Sequence, residues 1–88
     1  GKYEESITSY EHAITIDPSD ADAWNSKGNS LDALKKYEEA ILAYEHAITI
    51  DPSDADAWNS KGDSLNSLGK SDEAKKCHDK AKELEDED

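Results

Sequence analysis

Apolar residues in this chain recur at helical rather than alternating spacing. Trp24, Gly28, Leu31 and Leu34 fall three or four residues apart and make one stripe, with Gly28 small enough to admit a second helix. Tyr37, Ala40, Ile41, Tyr44, Ala47 and Ile48 make a second stripe directly after it. Between such stretches stands Asp-Pro-Ser-Asp, at 17–20 and again at 51–54. Pro18 and Pro52 hold the residue before them in extended geometry, which ends a helix. Ser19 with Asp22, and Ser53 with Asp56, are spaced to cap the helix that follows. The pattern predicts an all-α chain with helices of about 12 to 15 residues joined by short connections.

The pattern is also copied. Trp24 and Trp58 are 34 residues apart, as are Pro18 and Pro52. The run from Tyr10 to Gly28 returns unchanged from Tyr44 to Gly62, nineteen residues in all. A period of 34 points to stacked helical hairpins, each covering the apolar face of its neighbour. Composition alone points the other way. Leu and Ile together number 12, Phe and Met are absent, and the net charge is −12, which is the mark of a disordered chain. Nineteen repeated residues outweigh that mark, because composition does not produce them.

Trp24, Gly28, Leu31, Ala40, Tyr44, Ala47 and Pro52 resemble the tetratricopeptide signature of small and large residues at fixed spacing. The second copy resembles it at Trp58, Gly62, Leu65, Ala74 and Ala81. It departs at His78, where the family prefers an aromatic ring, and at Asp86, where proline is usual. Lys27 and Lys61 stand where the family has an apolar residue; their stems can lie along the core while the ammonium reaches water. The resemblance implies a right-handed α-solenoid of antiparallel hairpins with five helices.

In this register Gly1-Lys2-Tyr3 aligns with Lys35-Lys36-Tyr37 and with Gly69-Lys70-Ser71. Residues 1–20 then read as the second helix of an incomplete repeat, 21–54 as one repeat, and 55–88 as another with a terminal cap. The expectation is a piece of a longer array. In the last helix Lys75, Lys76, Cys77, His78 and Lys80 replace Ile41, Leu42, Ala43, Tyr44 and His46. A helix with nothing beyond it needs that polar outer face. Glu85 to Asp88 read as a solvated, frayed acidic end.

Charge narrows the partner. All ten basic residues are Lys, so no guanidinium fork is available to grip phosphate. With so acidic a balance, nucleic acid is excluded for want of a basic patch, and a basic peptide or protein suits better. No long apolar run is present, so no membrane span is expected. The single Cys77 has no partner for a disulfide within the chain and no signal-peptide pattern is visible, so a reducing, cytoplasmic setting is expected.

In the tetratricopeptide family the first helix of each unit lines a concave groove. The resemblance implies that Asp22, Asn25, Asn29 and Asp32, at spacings of 3, 4 and 3, line it here, followed by Asp56, Asn59, Asp63 and Asn66. Asn can both donate to and accept from a peptide backbone. The bland alternative is a solvated helix face. One subgroup of the family holds the C-terminal carboxylate of heat-shock chaperones with groove Lys and Arg residues, and those cations are missing here.

Other chemistry finds no footing. Asp17, Asp20 and Asp22 suggest a calcium loop, but the sixth and twelfth positions from Asp20 are Asn25 and Leu31 rather than Gly and Glu. Helix capping explains these acids. Cys77 and His78 point about 100° apart on a helix and cannot easily share a metal. His12 and His46 are copies of one surface position. No nucleophile–base pair recurs, so neither an enzyme, a metal nor a cofactor is expected.

Self-association has two candidate sites. On the first helix Ser6, Tyr10 and Ala13 occupy positions that Ala40, Tyr44 and Ala47 fill in the next unit, and no preceding helix covers them. A homodimer or end-to-end stacking would cover that stripe; a monomer with a frayed first helix is the alternative. The second is Lys35, which replaces the turn-forming Gly69. Leu31 to Ile50 contains neither Gly nor Pro, so the flanking helices could fuse and swap hairpins between two chains. A peptide- or protein-binding scaffold is the leading function, and a self-assembling module the second.

Overall fold

The structure, a computed structural model, describes residues 1–86. Among them lie five helices and no strand: α1 (Lys2–Ile16), α2 (Ala21–Ala33), α3 (Tyr37–Ile50), α4 (Ala55–Ser67) and α5 (Ser71–Glu85). Glu85 therefore closes the last helix and Asp86 is its C-cap, while positions 87 and 88 of the expected acidic end lie outside the described residues.

Local chemistry sets the helix ends, and the caps differ from expectation. The Asp20 carboxylate accepts from the Ala23 N–H at 3.1 Å, and Asp54 accepts from the N–H groups of Asp56 and Ala57. Ser19 and Ser53 are not the caps. Their hydroxyls donate to Asp17 and Asp51 at 2.6 and 2.7 Å, so the serines belong to the turn before the helix. Asp17 also accepts from the Ser19 N–H, and these two bonds hold its carboxyl below the ordinary value. Aspartates at both ends of the turn thus share the capping work between stopping one helix and starting the next.

The hairpin at Lys35 closes, which corrects the fused-helix alternative. Lys35 adopts φ +63° and Gly69 φ +79°. Lys36 N–H reaches back to the Leu31 carbonyl at 2.9 Å and Lys35 N–H to that of Asp32. Lys70 and Gly69 repeat both bonds on Leu65 and Asn66. These paired bonds satisfy the last carbonyls of the helix and so hold a lysine in backbone territory that suits glycine. Releasing the left-handed strain is worth about 1 kcal/mol, less a few tenths for the freer unfolded chain. Lys35→Gly should therefore raise the urea midpoint slightly and Gly69→Lys should lower it.

The core is built from small residues. Ala40, Ala47, Ala57 and Ala81 have no exposed surface, and Tyr44 is 1% exposed. Leu31, Ala40, Ala43 and Tyr44 cluster with Ile7 and Trp24 packed against them; Leu65, Ala74 and Cys77 form the next cluster with Ile41 and Trp58. Each cluster draws on three consecutive helices, so no hairpin completes its core alone. Alanine and glycine at the contacts let backbones come close, and the chain buries a core despite few large apolar residues. That is how a disorder-like composition yields a packed fold.

Candidate functional site: the inner face and the outer clefts

The backbones of helices α2 and α4 come close together, whereas those of α1, α3 and α5 stand apart from one another. The first helices of the two hairpins therefore sit side by side on an inner, closed side, and the second helices splay apart on an outer side. The Ser64 hydroxyl donates to Asp32 at 3.0 Å and joins the two inner helices directly.

The eight expected inner-face residues divide into two sets. Some are drawn into the stack. Asn29 accepts the Tyr44 hydroxyl at 2.8 Å, Asp32 accepts from Ser64, and Asp63 lies 3.0 Å from His78 Nε2. Asn59 Nδ2 donates to Glu85 at 3.4 Å. Others are open. Asp22, Asp56 and Asn66 are exposed, and their side chains enter none of the hydrogen bonds or ion pairs seen among the described residues. Asn25 is half-buried, and its Oδ1 is a buried acceptor with no partner. The Tyr44 phenol is pushed above its ordinary value, first by burial and then by the Asp32 charge, so it stays a hydrogen-bond donor.

The Tyr44–Asn29 pair of one hairpin becomes His78–Asp63 in the other. Both members change together, and the polar link between the paired helices survives. This explains the departure from the family pattern at His78. Gly28 and Gly62 sit against these rings, so close that an added Cβ would lie 2.5 Å from Tyr44 and 2.6 Å from His78.

The other predicted surface is α1. Ser6, Tyr10 and Ala13 are half-buried, while the equivalent Ala40, Tyr44 and Ala47 are buried beneath α2. Tyr3 and Ile16 of the same helix are 49% and 83% exposed.

Sequence reasoning missed the outer side. A cleft of about 540 Å³ lies between α1 and α3, over Trp24. A second, of about 580 Å³, lies between α3 and α5, over Trp58. Each indole N–H donates to a proline carbonyl, Trp24 to Pro18 and Trp58 to Pro52. Lys27 spans the first cleft from 5.4 Å over the Trp24 ring to Glu11 at 3.3 Å. Lys61 repeats this with Trp58 at 5.8 Å and Glu45 at 3.2 Å. His46, expected as a plain surface residue, stacks on Trp24 at 4.1 Å. Its spacing of 22 residues from Trp24 gave no sign of that contact. Leu42 is 60% exposed and lines both clefts.

Cys77 forms part of the second cleft wall, and burial raises its thiol above the ordinary value. Less thiolate is then present at any given pH. Cys77 should react with maleimide near pH 7.5 at least about tenfold more slowly than a free cysteine, and unfolding in guanidinium should remove the difference. Among the described residues no three His, Cys, Asp or Glu side chains gather as a metal site requires. No described helix is long and apolar enough to cross a membrane.

Antiparallel helical hairpins stacked in series define an α-solenoid, an architecture of protein-interaction scaffolds. The chain belongs to the tetratricopeptide repeat family. Tetratricopeptide repeat descriptions match residues 21–54 and 43–76, and a TPR repeat description matches 1–35. MamA is 33% identical over 97% of this chain with a TM-score of 0.93, and the chain spans 50% of MamA. The second TPR of Spaghetti (RPAP3), bound to the HSP90 peptide SRMEEVD, is 32% identical over 96% of this chain, covers at 78% of its own length, and has a TM-score of 0.92. The Yersinia enterocolitica type III secretion translocator chaperone SycD is 25% identical over 96% of this chain and 64% of its own, with a TM-score of 0.93. No curated protein matches the chain by sequence.

Proposed function

We propose that the inner face of α2 and α4 binds a peptide or protein segment bearing basic side chains. The observation that carries this is the make-up of the row itself. Its eight members are carboxylates and carboxamides with no cation among them, and Asp22 and Asp56 are exposed without a partner ion. Asn25 adds a buried acceptor that a donor on a ligand would satisfy. The peptide held by the second TPR of Spaghetti carries three acids and one Arg among its seven residues; its net negative charge would be repelled here. The same acidity makes nucleic acid a poor ligand. We place the protein in a reducing compartment such as the cytoplasm, where a lone, buried thiol is stable.

Calorimetric titration with a Lys-rich and a Glu-rich peptide of equal length tests the reading. The Lys-rich peptide should bind, and Asn25→Ala with Asn59→Ala should weaken it roughly tenfold at unchanged helical content. Equal binding of both peptides, or no effect of the double substitution, would overturn it. The alternative reading is a self-assembling module without a ligand. It makes Tyr10→Lys change the oligomeric state and leaves the inner-face substitutions silent.

A further inference from the structure

The chain carries a charge of −12, yet the cleft between α3 and α5 is electrically balanced. Three glutamates (Glu38, Glu45 and Glu73) and three lysines (Lys61, Lys70 and Lys76) line it. They are not evenly spread. Glu38 and Glu45 lie on the α3 wall; Lys70, which precedes α5, and Lys76 flank Glu73 on the α5 wall; and Lys61 on the floor is taken by Glu45. Lys70, Lys76 and Glu38 are exposed and enter no ion pair among the described residues. The cleft floor is apolar, made by Trp58, Leu65 and Leu68.

The α3 ridge has the complementary pattern. Glu38 and Leu42 are four residues apart on a helix, so they stand on one face a turn apart. Leu42, more than half exposed in a chain with few large apolar residues, crowns that ridge. An acid followed one turn later by an exposed leucine is what an apolar floor with free lysines on one wall would accept. Because α3 is itself a wall of the cleft, two copies related by a two-fold axis can each place this ridge in the other's cleft. One contact then occurs twice, as an isologous interface requires.

We propose that a second copy of this chain docks on the outer side in this way. The α3 ridge of each copy sits in the α3–α5 cleft of the other, with Leu42 over Trp58 and Glu38 between Lys70 and Lys76. Burial of the two leucines supplies the association, and the charge pairing sets its register. This contact is distinct from the Tyr10 surface of α1. It also leaves the acidic inner faces apart, where two copies would repel each other.

Sedimentation velocity of the full chain, from about 10 µM to about 1 mM in buffer of physiological ionic strength, tests the proposal. The expected result is a concentration-dependent monomer–dimer equilibrium. Leu42→Glu should weaken it more than roughly tenfold, while Tyr10→Lys should not. Circular dichroism should show unchanged helical content in both, since Leu42 is exposed and Tyr10 only half-buried. Charge reversal then fixes the register. Glu38→Lys alone and the Lys70→Glu, Lys76→Glu double variant alone should each be monomeric, and their equimolar mixture should form a heterodimer. A monomer at every concentration overturns the proposal. So does a dimer that survives Leu42→Glu, one that Tyr10→Lys abolishes, or a mixture of the charge variants that stays monomeric.

Discussion

Tyr44→Ala is expected to remove about 3–5 kcal/mol of stability, a large share of the roughly 5–15 kcal/mol a domain of this kind holds. The ring is 1% exposed. It stands at the centre of the first core cluster, against Leu31 and over Gly28. The alanines around it cannot swell to fill the space, so the lost contacts remain lost. Tyr44→Phe separates the ring from its hydroxyl. It should cost about 1 kcal/mol or less, because Asn29 is exposed and water can replace the lost donor. The pH dependence follows from the raised value of the phenol. The folded state holds this proton more tightly than the unfolded chain does. Its contribution is fully present below about pH 10, the unfolded value, and stability falls as pH rises beyond it. Thermal unfolding of wild type and Tyr44→Phe between pH 7 and 11 measures both effects, and the phenylalanine variant should lack this alkaline loss.

The second large effect contrasts Gly28→Ala with Gly62→Ala. The two glycines hold the same place in two hairpins, and alanine is worth about 1 kcal/mol over glycine inside a helix. At Gly28 a new Cβ lands 2.5 Å from the Tyr44 ring, which has nowhere to go. Overpacking there should cost about 1–3 kcal/mol and exceed the helical gain. At Gly62 the Cβ meets His78, whose side chain is 34% exposed and can swing toward solvent. Gly62→Ala should therefore be close to neutral, while Gly28→Ala lowers the urea midpoint clearly. Equal losses at the two sites would mean that His78 is as firmly seated as Tyr44.

Much of the fold was legible because its elements repeat. The stripes through Trp24 and Tyr44 predicted the hairpins, and the second copy confirmed their period. Finer points escaped where neighbouring residues offered the same chemistry. Ser19 and Asp20 are both good N-caps, and the choice fell to Asp20 only because Asp17 claims the serine hydroxyl. Lys35 was ambiguous for another reason. A single strained residue is tolerated when two backbone bonds and a packed hairpin depend on it. Helical spacing groups Asp22, Asn25, Asn29 and Asp32 on one face of α2. It could not show that Asn29 and Asp32 already serve Tyr44 and Ser64, since those partners lie 15 and 32 residues away. The clefts were invisible altogether, because they arise from a gap between helices whose backbones stand apart.

The turn at 17–20 and the turn at 51–54 are the same joint made twice. Each carries an aspartate that stops a helix, a second that starts the next, and an indole held by the proline carbonyl. Each is crossed by one lysine–glutamate bridge, Lys27 to Glu11 and Lys61 to Glu45. A further unit of 34 residues spliced in after Asp54 would meet familiar neighbours on both flanks. The molecule can therefore lengthen or shorten by whole units without inventing a new interface, and the reach of its inner face is set by counting units rather than by redesigning them.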